Sequence, residues 1–171
     1  DIIYRFRLDF NILPSMIIFN LLSKDNFYDL TNVLKNILLQ HIDNPNSEML
    51  IKDLTVIFNL DKEAILELIV ERCKYSVIEN KLREKKNLSN YFYNVYLHNL
   101  DLWGILYTYY NLLLLILNKY PKHSKILSIY EKLNQYIREF MVKSFTEPIN
   151  RNEFIKVLKS LNNLFLYTIK I

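Results

Sequence analysis

The chain contains few of the residues that build tight turns, disulfides or phosphate-binding loops. Its 171 residues include one glycine and four prolines, too few for the hairpin turns that an all-β protein requires. One glycine also cannot form a glycine-rich phosphate loop. Cys73 is the only cysteine, so the sequence contains no intrachain disulfide, which fits a reducing compartment. These absences favour a helical domain.

Residues that carry catalysis or bind metals are also scarce. The three histidines lie far apart and lack the spacing of a metal site: His41, His98 and His123. Cys73 could pair with a distant histidine as a nucleophile, but its position in an apolar stripe favours a small core residue. We therefore predict that the chain is not an enzyme and that it binds no cofactor or metal.

Apolar residues are abundant, whereas the excess of positive charge is small. Hydrophobic residues make up 51% of the chain and aromatic residues 14%, so general disorder is excluded. The formal net charge of +4 does not by itself imply nucleic acid. Basic residues around 81–86 and 119–125 lack the concentration on one face that a nucleic-acid footprint shows. We predict no nucleic-acid partner.

The central feature of the sequence is a charge-free stretch between Asp101 and Lys119. A helix that is apolar all round must be buried, either in a protein core or in a membrane. Residues 102–117 would span about 24 Å as a helix, less than the roughly 30 Å hydrocarbon core of a bilayer. We therefore predict a central core helix over residues 102–118, with a membrane span as the alternative. Leu106, Leu113 and Ile116 should be almost fully buried.

Apolar spacing predicts about eight helices with short connections, forming one compact domain over residues 1–171. The helices are expected to begin at or near Pro14, Asp25, Ser47, Asp61, Leu88, Leu102, Pro121 and Asn150. Residues 1–12 are expected to be a strand or a loosely docked arm, and Asp43–Ser47 a loop. We expect the chain to be a fragment of a longer protein.

Two segments resemble homology motifs of the Bcl (B-cell-lymphoma) apoptosis regulators. In Tyr96–Leu106, an amphipathic helix and a polar turn precede Trp103 and Gly104 at the start of an apolar helix. Phe145–Ile149 resembles the second homology motif, and its distance from Trp103 is close to the family's spacing. The resemblance covers about residues 88–160 and implies a bundle of about eight helices around one apolar hairpin.

Several positions depart from the pattern of that family. Ile105 stands where the family has an arginine that pairs with an aspartate of the bound ligand helix, and Leu102 replaces an asparagine. The second motif lacks the Trp and Gly-Gly of the family, and Leu66–Glu71 matches the third motif only weakly. Such divergence is similar to that of virus-encoded members, especially those of poxviruses.

The resemblance implies an apoptosis inhibitor that sequesters the amphipathic helix of a pro-death regulator in a surface groove. Carried over by position, the groove is expected to be lined by Phe92, Val95, Tyr96, Ile105, Thr108 and Leu112. The facing wall is expected to come from Ile69, Cys73 and Val77. Gly104, beside Trp103, is expected to let another backbone approach closely, either that of residues 150–158 or that of the ligand.

Other classes of protein remain open. The leading alternative is a non-enzymatic helical interaction module, either a viral signalling inhibitor on the same bundle or a fragment of a helical-repeat scaffold. An enzyme or a pore-forming membrane protein are further alternatives. No signal peptide is recognised at the start of the sequence. A cytoplasmic protein is expected, at the mitochondrial outer membrane if an anchor follows residue 171.

Overall fold

The computed structural model describes residues 45–82 and 84–169, and within these ranges every regular element is a helix. The elements are α1 (Pro45–Phe58), α2 (Lys62–Glu79), α3 (Lys85–Tyr91), a π-helical segment (Phe92–Tyr96), α4 (Leu97–Lys119), α5 (Ser124–Ser144) and α6 (Arg151–Ile169). Because α3, the π-helical segment and α4 follow without a break, the described residues form five continuous helices. The all-helical prediction is confirmed for this part. The arm predicted over residues 1–12 and the helices predicted from Pro14 and Asp25 lie outside it.

The first two helices form a hairpin. α1 begins at Pro45, inside the segment predicted to be a loop, because the first turn of a helix does not need the missing proline N–H. Asn59 bridges α1 and α2 with a left-handed φ of 53°, which asparagine tolerates. Asp61 caps α2 as predicted, since its carboxylate accepts a 2.8 Å hydrogen bond from the backbone N–H of Ala64.

A long helix follows, with a π-helical turn inside it. The predicted break between a helix ending at Asn99 and another beginning at Leu102 is wrong. The backbone N–H of Leu97 donates to the carbonyl of Phe92, five residues earlier, which defines the wider turn. No glycine or proline lies between Leu88 and Leu102 to stop the helix, and the Asn99 side chain bonds a distant segment instead of capping.

The helix boundaries before and after α5 match the sequence signals. α4 ends at Lys119, directly before Tyr120 and Pro121, because proline restricts the preceding residue and cannot continue the helix. The next helix boundary is set by Asn150, whose side-chain oxygen accepts hydrogen bonds from the backbone N–H groups of Asn152 (3.0 Å) and Glu153 (3.3 Å). Asn150 is therefore the N-terminal cap of α6, as predicted.

Among the described helices, α5 packs against α1, α4 and α6, and α1 also packs against α2. The apolar stripe of α5 is buried at five positions: Ile126, Leu133, Ile137, Phe140 and Met141. Its i, i+3, i+4 spacing places these side chains on one face. This regular stripe makes α5 the helix that joins the described part of the bundle.

α4 is buried on one side only. Leu106 and Leu113 have no exposed surface, as predicted, but Ile116 is only partly buried. On the other side, Ile105 is 41% exposed and Leu115 is 68% exposed. The prediction that the charge-free helix is enclosed all round is therefore not confirmed. Apolar composition makes burial favourable, but the helices of residues 45–82 and 84–169 do not cover every face of α4.

Candidate functional site

The outer side of α4 presents a continuous exposed stripe. Its members follow the 4-4-3-4 spacing of one helix face. We call this stripe the α4 face, and it consists of Leu97, Asp101, Ile105, Thr108 and Leu112. It spans about 22 Å along the helix axis. Three of the residues predicted to line a ligand groove therefore share one accessible surface: Ile105, Thr108 and Leu112.

The α4 face is apolar except at one end. Ile105 and Leu112 are 41% and 49% exposed, respectively. The Thr108 hydroxyl donates a 2.8 Å hydrogen bond to the carbonyl of Gly104 within the helix. It therefore needs no hydrogen-bond acceptor from a binding partner. Asp101 is the single charged residue of the face, one helical turn before Ile105. A partner for this surface needs apolar side chains along most of its length and a positive group opposite Asp101.

The remaining predicted groove residues lie elsewhere. Ile69, Cys73 and Val77 of α2, expected as the facing wall, are core residues, and Val95 is buried as well. They contribute to packing and not to an accessible surface in this structure. Phe92 and Tyr96 are partly buried on the π-helical segment, with their rings stacked at a centroid distance of 5.4 Å. The structure thus divides the predicted set between the core, the π-helical turn and the α4 face.

Gly104 does not make the first of the two close approaches predicted for it, and the second, to the backbone of a ligand helix, stays a prediction. It is exposed, and a Cβ atom added to it would meet no atom of the described residues within 4 Å. The expected close approach of the backbone near residues 150–158 is therefore wrong for this part of the chain. Gly104 lies on the outward side of α4, next to Ile105 and Thr108.

Trp103 anchors the inner side of α4 in a row of aromatic rings. Its ring lies 5.7 Å from the ring of Tyr107 and 5.7 Å from that of Phe140 on α5. The row continues from Tyr107 to Tyr110 (5.8 Å) and from Tyr110 to Tyr130 (6.1 Å). Offset and tilted ring pairs at such distances add to the stability gained from burial. This packing fixes the rotation of α4 and therefore which of its residues face outward.

One carboxyl group, that of Asp53, accepts a hydrogen bond from this row of rings. The Tyr107 hydroxyl donates a hydrogen bond to Asp53, which links α4 to α1. Burial raises the pKa of the Asp53 carboxyl above its ordinary value of 3.8, although the Tyr107 hydrogen bond and the charge of Lys52 oppose this shift. Burial, the hydrogen bond to Asp53 and the Asp53 charge together raise the pKa of the Tyr107 hydroxyl. The pair forms an interhelical hydrogen bond and offers no activated nucleophile.

Neither an activated thiol nor a cluster of metal-binding side chains is found among the described residues. Cys73 is fully buried, and burial raises the pKa of its thiol, so the reactive thiolate is disfavoured. Across residues 45–82 and 84–169, no cluster of three His, Cys, Asp or Glu side chains could hold a metal ion.

A cluster of buried hydrogen bonds, which the sequence did not predict, holds the connection between α5 and α6, and we call it the polar clamp. Asn99 has no exposed surface, and its amide group donates to the carbonyls of Ser144 (3.0 Å) and Glu147 (2.9 Å). Its carbonyl oxygen accepts from the backbone N–H of Ile149 at 2.9 Å. The neighbouring His98 Nε2 lies 2.8 Å from the Ile149 carbonyl, to which it can donate.

Two further helices join the same connection. Ser76 of α2 and Tyr91 of α3 both donate to the carbonyl of Phe145, at 2.5 Å and 2.6 Å. The clamp brings together the two segments that carried the family resemblance, Tyr96–Leu106 and Phe145–Ile149. One signal could have identified Asn99, because it lies four residues before Trp103 and seven before Leu106, on the apolar face of the helix.

Comparisons with protein-family models, curated proteins and solved structures returned no significant match. By length and composition, one helix of the described residues, Lys86–Lys119, is long and apolar enough to cross a membrane. A core helix meets the same criterion, and the inner side of α4 is core here.

Proposed function

We propose that this chain is a helical interaction domain that binds an amphipathic helix along the α4 face. In its specific form, the proposal is that the ligand helix belongs to a pro-death regulator and that binding sequesters it. The observation that supports helix binding is the exposure of Ile105, Thr108 and Leu112 on one face of a rigidly packed helix. An amphipathic helix offers apolar side chains at matching i, i+3, i+4 intervals.

The charge pattern of the α4 face sets the type of ligand. Ile105 offers no donor to an aspartate on a ligand helix, and Asp101 one turn earlier would repel it. A buried carboxylate without a partner is costly. The preferred ligand therefore carries lysine or arginine opposite Asp101, or turns its own aspartate to solvent. Because this ion pair lies at the rim, apolar contacts dominate and the affinity depends weakly on salt.

Calorimetric titration of the full chain with a panel of pro-death ligand peptides tests the proposal. Ile105→Glu should weaken binding at least about tenfold, since it removes apolar burial and places a charge in the interface. Ile155→Glu on α6 is the matched control, because Ile155 is 46% exposed and the substitution is the same. Equal weakening by both variants, or no heat with any peptide at high concentration, would refute the proposal.

The partly buried Tyr96 provides a second test near the same helix. If the ligand extends past Leu97 onto the π-helical segment, Tyr96→Ala should weaken binding by more than about 1 kcal/mol, as aromatic anchors often do. Tyr96→Phe keeps the ring and should bind like the parent. Binding that is unchanged by Tyr96→Ala would confine the ligand to the α4 face beyond Leu97.

A second candidate function uses an outer face of the bundle to block a signalling partner. It is supported by two side chains of α2, Tyr75 and Ile78, which are 53% and 73% exposed. Under this proposal, Ile78→Glu abolishes capture of the partner, whereas Ile105→Glu has no effect. A pull-down with both variants under identical conditions separates the two candidates.

A further inference from the structure

The connection between α4 and α5 gathers positive charge in a region free of acids. Residues 102–130 contain no Asp or Glu. All three of their lysines, Lys119, Lys122 and Lys125, lie at this connection and are exposed. Flexible lysine side chains on a protruding turn keep their ammonium groups in water while they approach an anionic surface.

Exposed apolar side chains flank these lysines along the chain. Leu115 on the last turns of α4 is 68% exposed, and Tyr120 and Leu127 on either side of Pro121 are also exposed. The Lys119 ammonium group lies 5.4 Å from the centre of the Tyr120 ring. We call these six side chains the basic turn: Leu115, Lys119, Tyr120, Lys122, Lys125 and Leu127.

We propose that the basic turn docks on an anionic membrane surface. Its lysines complement negatively charged lipid headgroups, and its leucines and tyrosine can enter the boundary between headgroups and acyl chains. A nucleic acid would use the lysines but would leave Leu115 and Leu127 exposed to water. Residues 102–130 also contain no arginine, the side chain best suited to bidentate phosphate recognition.

The docking is peripheral, with the core left intact. Trp103 is the only tryptophan of the chain and lies in the core, stacked on Tyr107. Insertion of the whole α4–α5 hairpin would separate Tyr107 from Asp53 of α1 and transfer Trp103 into lipid. Docking through the basic turn leaves Trp103 where it is. The proposal is independent of helix binding, since the basic turn shares no residue with the α4 face.

Vesicle flotation of the full chain measures the docking directly. We expect binding to vesicles of 30% phosphatidylserine in phosphatidylcholine and little binding to phosphatidylcholine alone. A triple variant changes the three lysines of the basic turn together to Gln: Lys119, Lys122 and Lys125. It should weaken binding by about a hundredfold, because each lysine near the surface contributes about fivefold. Raising the salt concentration should weaken binding of the parent chain as well.

Matched variants keep the test specific. A control variant changes three exposed lysines of α5 and α6 together to Gln: Lys143, Lys156 and Lys159. This variant removes the same net charge elsewhere and should weaken binding much less. Leu115→Ser should weaken binding about tenfold through the loss of apolar burial. The proposal is overturned if the two triple variants bind equally, or if the chain binds a single-stranded RNA oligonucleotide but not the vesicles.

Fluorescence of Trp103 separates docking from insertion. Vesicles whose acyl chains carry bromine quench a tryptophan that enters the bilayer. We expect bound chain to keep the emission spectrum and intensity of free chain in these vesicles. Quenching of Trp103 on binding would show that the hairpin inserts and would overturn peripheral docking.

Discussion

Asn99 is expected to contribute more to stability than any other polar side chain in the described part of the chain. It makes three hydrogen bonds to the backbone of residues 144–149 and has no exposed surface. Asn99→Ala removes all three bonds. Each bond contributes about 0.5–1.5 kcal/mol, and each buried group left without a partner adds a further cost. Glu147 and Ile149 lie near solvent, so water can satisfy part of what is lost.

The expected cost of Asn99→Ala is therefore about 2–4 kcal/mol in the free energy of unfolding. Asn134 of α5 supplies a matched control, because it is also a buried asparagine in a helix. Its side-chain oxygen has no hydrogen-bond partner among the described residues. Asn134→Ala removes an amide that gains little from its surroundings and should cost less than about 1 kcal/mol.

Urea unfolding followed by circular dichroism gives both values. The midpoint should fall markedly for Asn99→Ala and barely for Asn134→Ala, with the slope unchanged if the unfolded state is unaffected. Asn99→Asp extends the test, since an ionised carboxylate cannot donate to the carbonyls of Ser144 and Glu147. Equal midpoints for the two alanine variants would refute the assignment of Asn99 as the centre of the clamp.

Three further predictions use the same unfolding assay. Gly104→Ala should stabilise the chain by about 0.5–1 kcal/mol, because no described atom lies near the added methyl group and alanine favours the helix; a loss of stability would reveal a neighbour outside the described residues. Leu113→Ala should cost about 2–5 kcal/mol, whereas Leu115→Ala should cost almost nothing, because Leu113 is fully buried and Leu115 is exposed. Asp53 has a pKa in the folded state above its ordinary value, so its favourable contribution is present below pH 3.8 and is lost as pH rises through the folded pKa. The free energy of unfolding of Asp53→Asn should therefore increase relative to that of the parent as pH rises from about 3 to 7. A difference that stays constant would contradict a raised pKa for Asp53.

The sequence predicted local features well because local chemistry determines them. The caps at Asp61 and Asn150 follow from side chains that bond the backbone two or three residues later. The stripe of α5 stands out because lysine, glutamate and glutamine occupy its other faces. Where apolar and polar residues alternate with the helix period, burial can be assigned residue by residue.

That contrast is missing in α4, so the sequence did not indicate which of its sides is exposed. Leu106 and Leu112 are chemically identical, yet one is fully buried and the other half-exposed. Which of them faces inward depends on the ring packing of Trp103 with Phe140, a contact between residues 37 positions apart. Periodicity carries no information about such a contact. The rarity of glycine predicted a close approach at Gly104 that the described residues do not make.

The π-helical turn was also invisible in the sequence, but it affects the candidate site. An extra residue in one turn rotates everything before it relative to everything after it. Phe92 and Tyr96 therefore cannot be placed on the α4 face by counting in steps of three and four through Leu97. The predicted groove was carried over by position from the family resemblance and included residues on both sides of Leu97. Its three residues beyond the π-helical turn share a face, while those within it occupy a separate, partly buried surface.

The inner side of α4 makes tests of its outer side interpretable. Trp103, Leu106 and Leu113 fix the helix in the core, whereas Ile105, Leu112 and Leu115 project away from it. Substitution of an exposed side chain usually changes stability by less than about 0.5 kcal/mol. Loss of ligand binding in Ile105→Glu, or of vesicle binding in Leu115→Ser, with an unchanged unfolding midpoint therefore reports on recognition. A shared fall in midpoint would instead mean that these side chains are covered in solution by part of the chain or by a second copy.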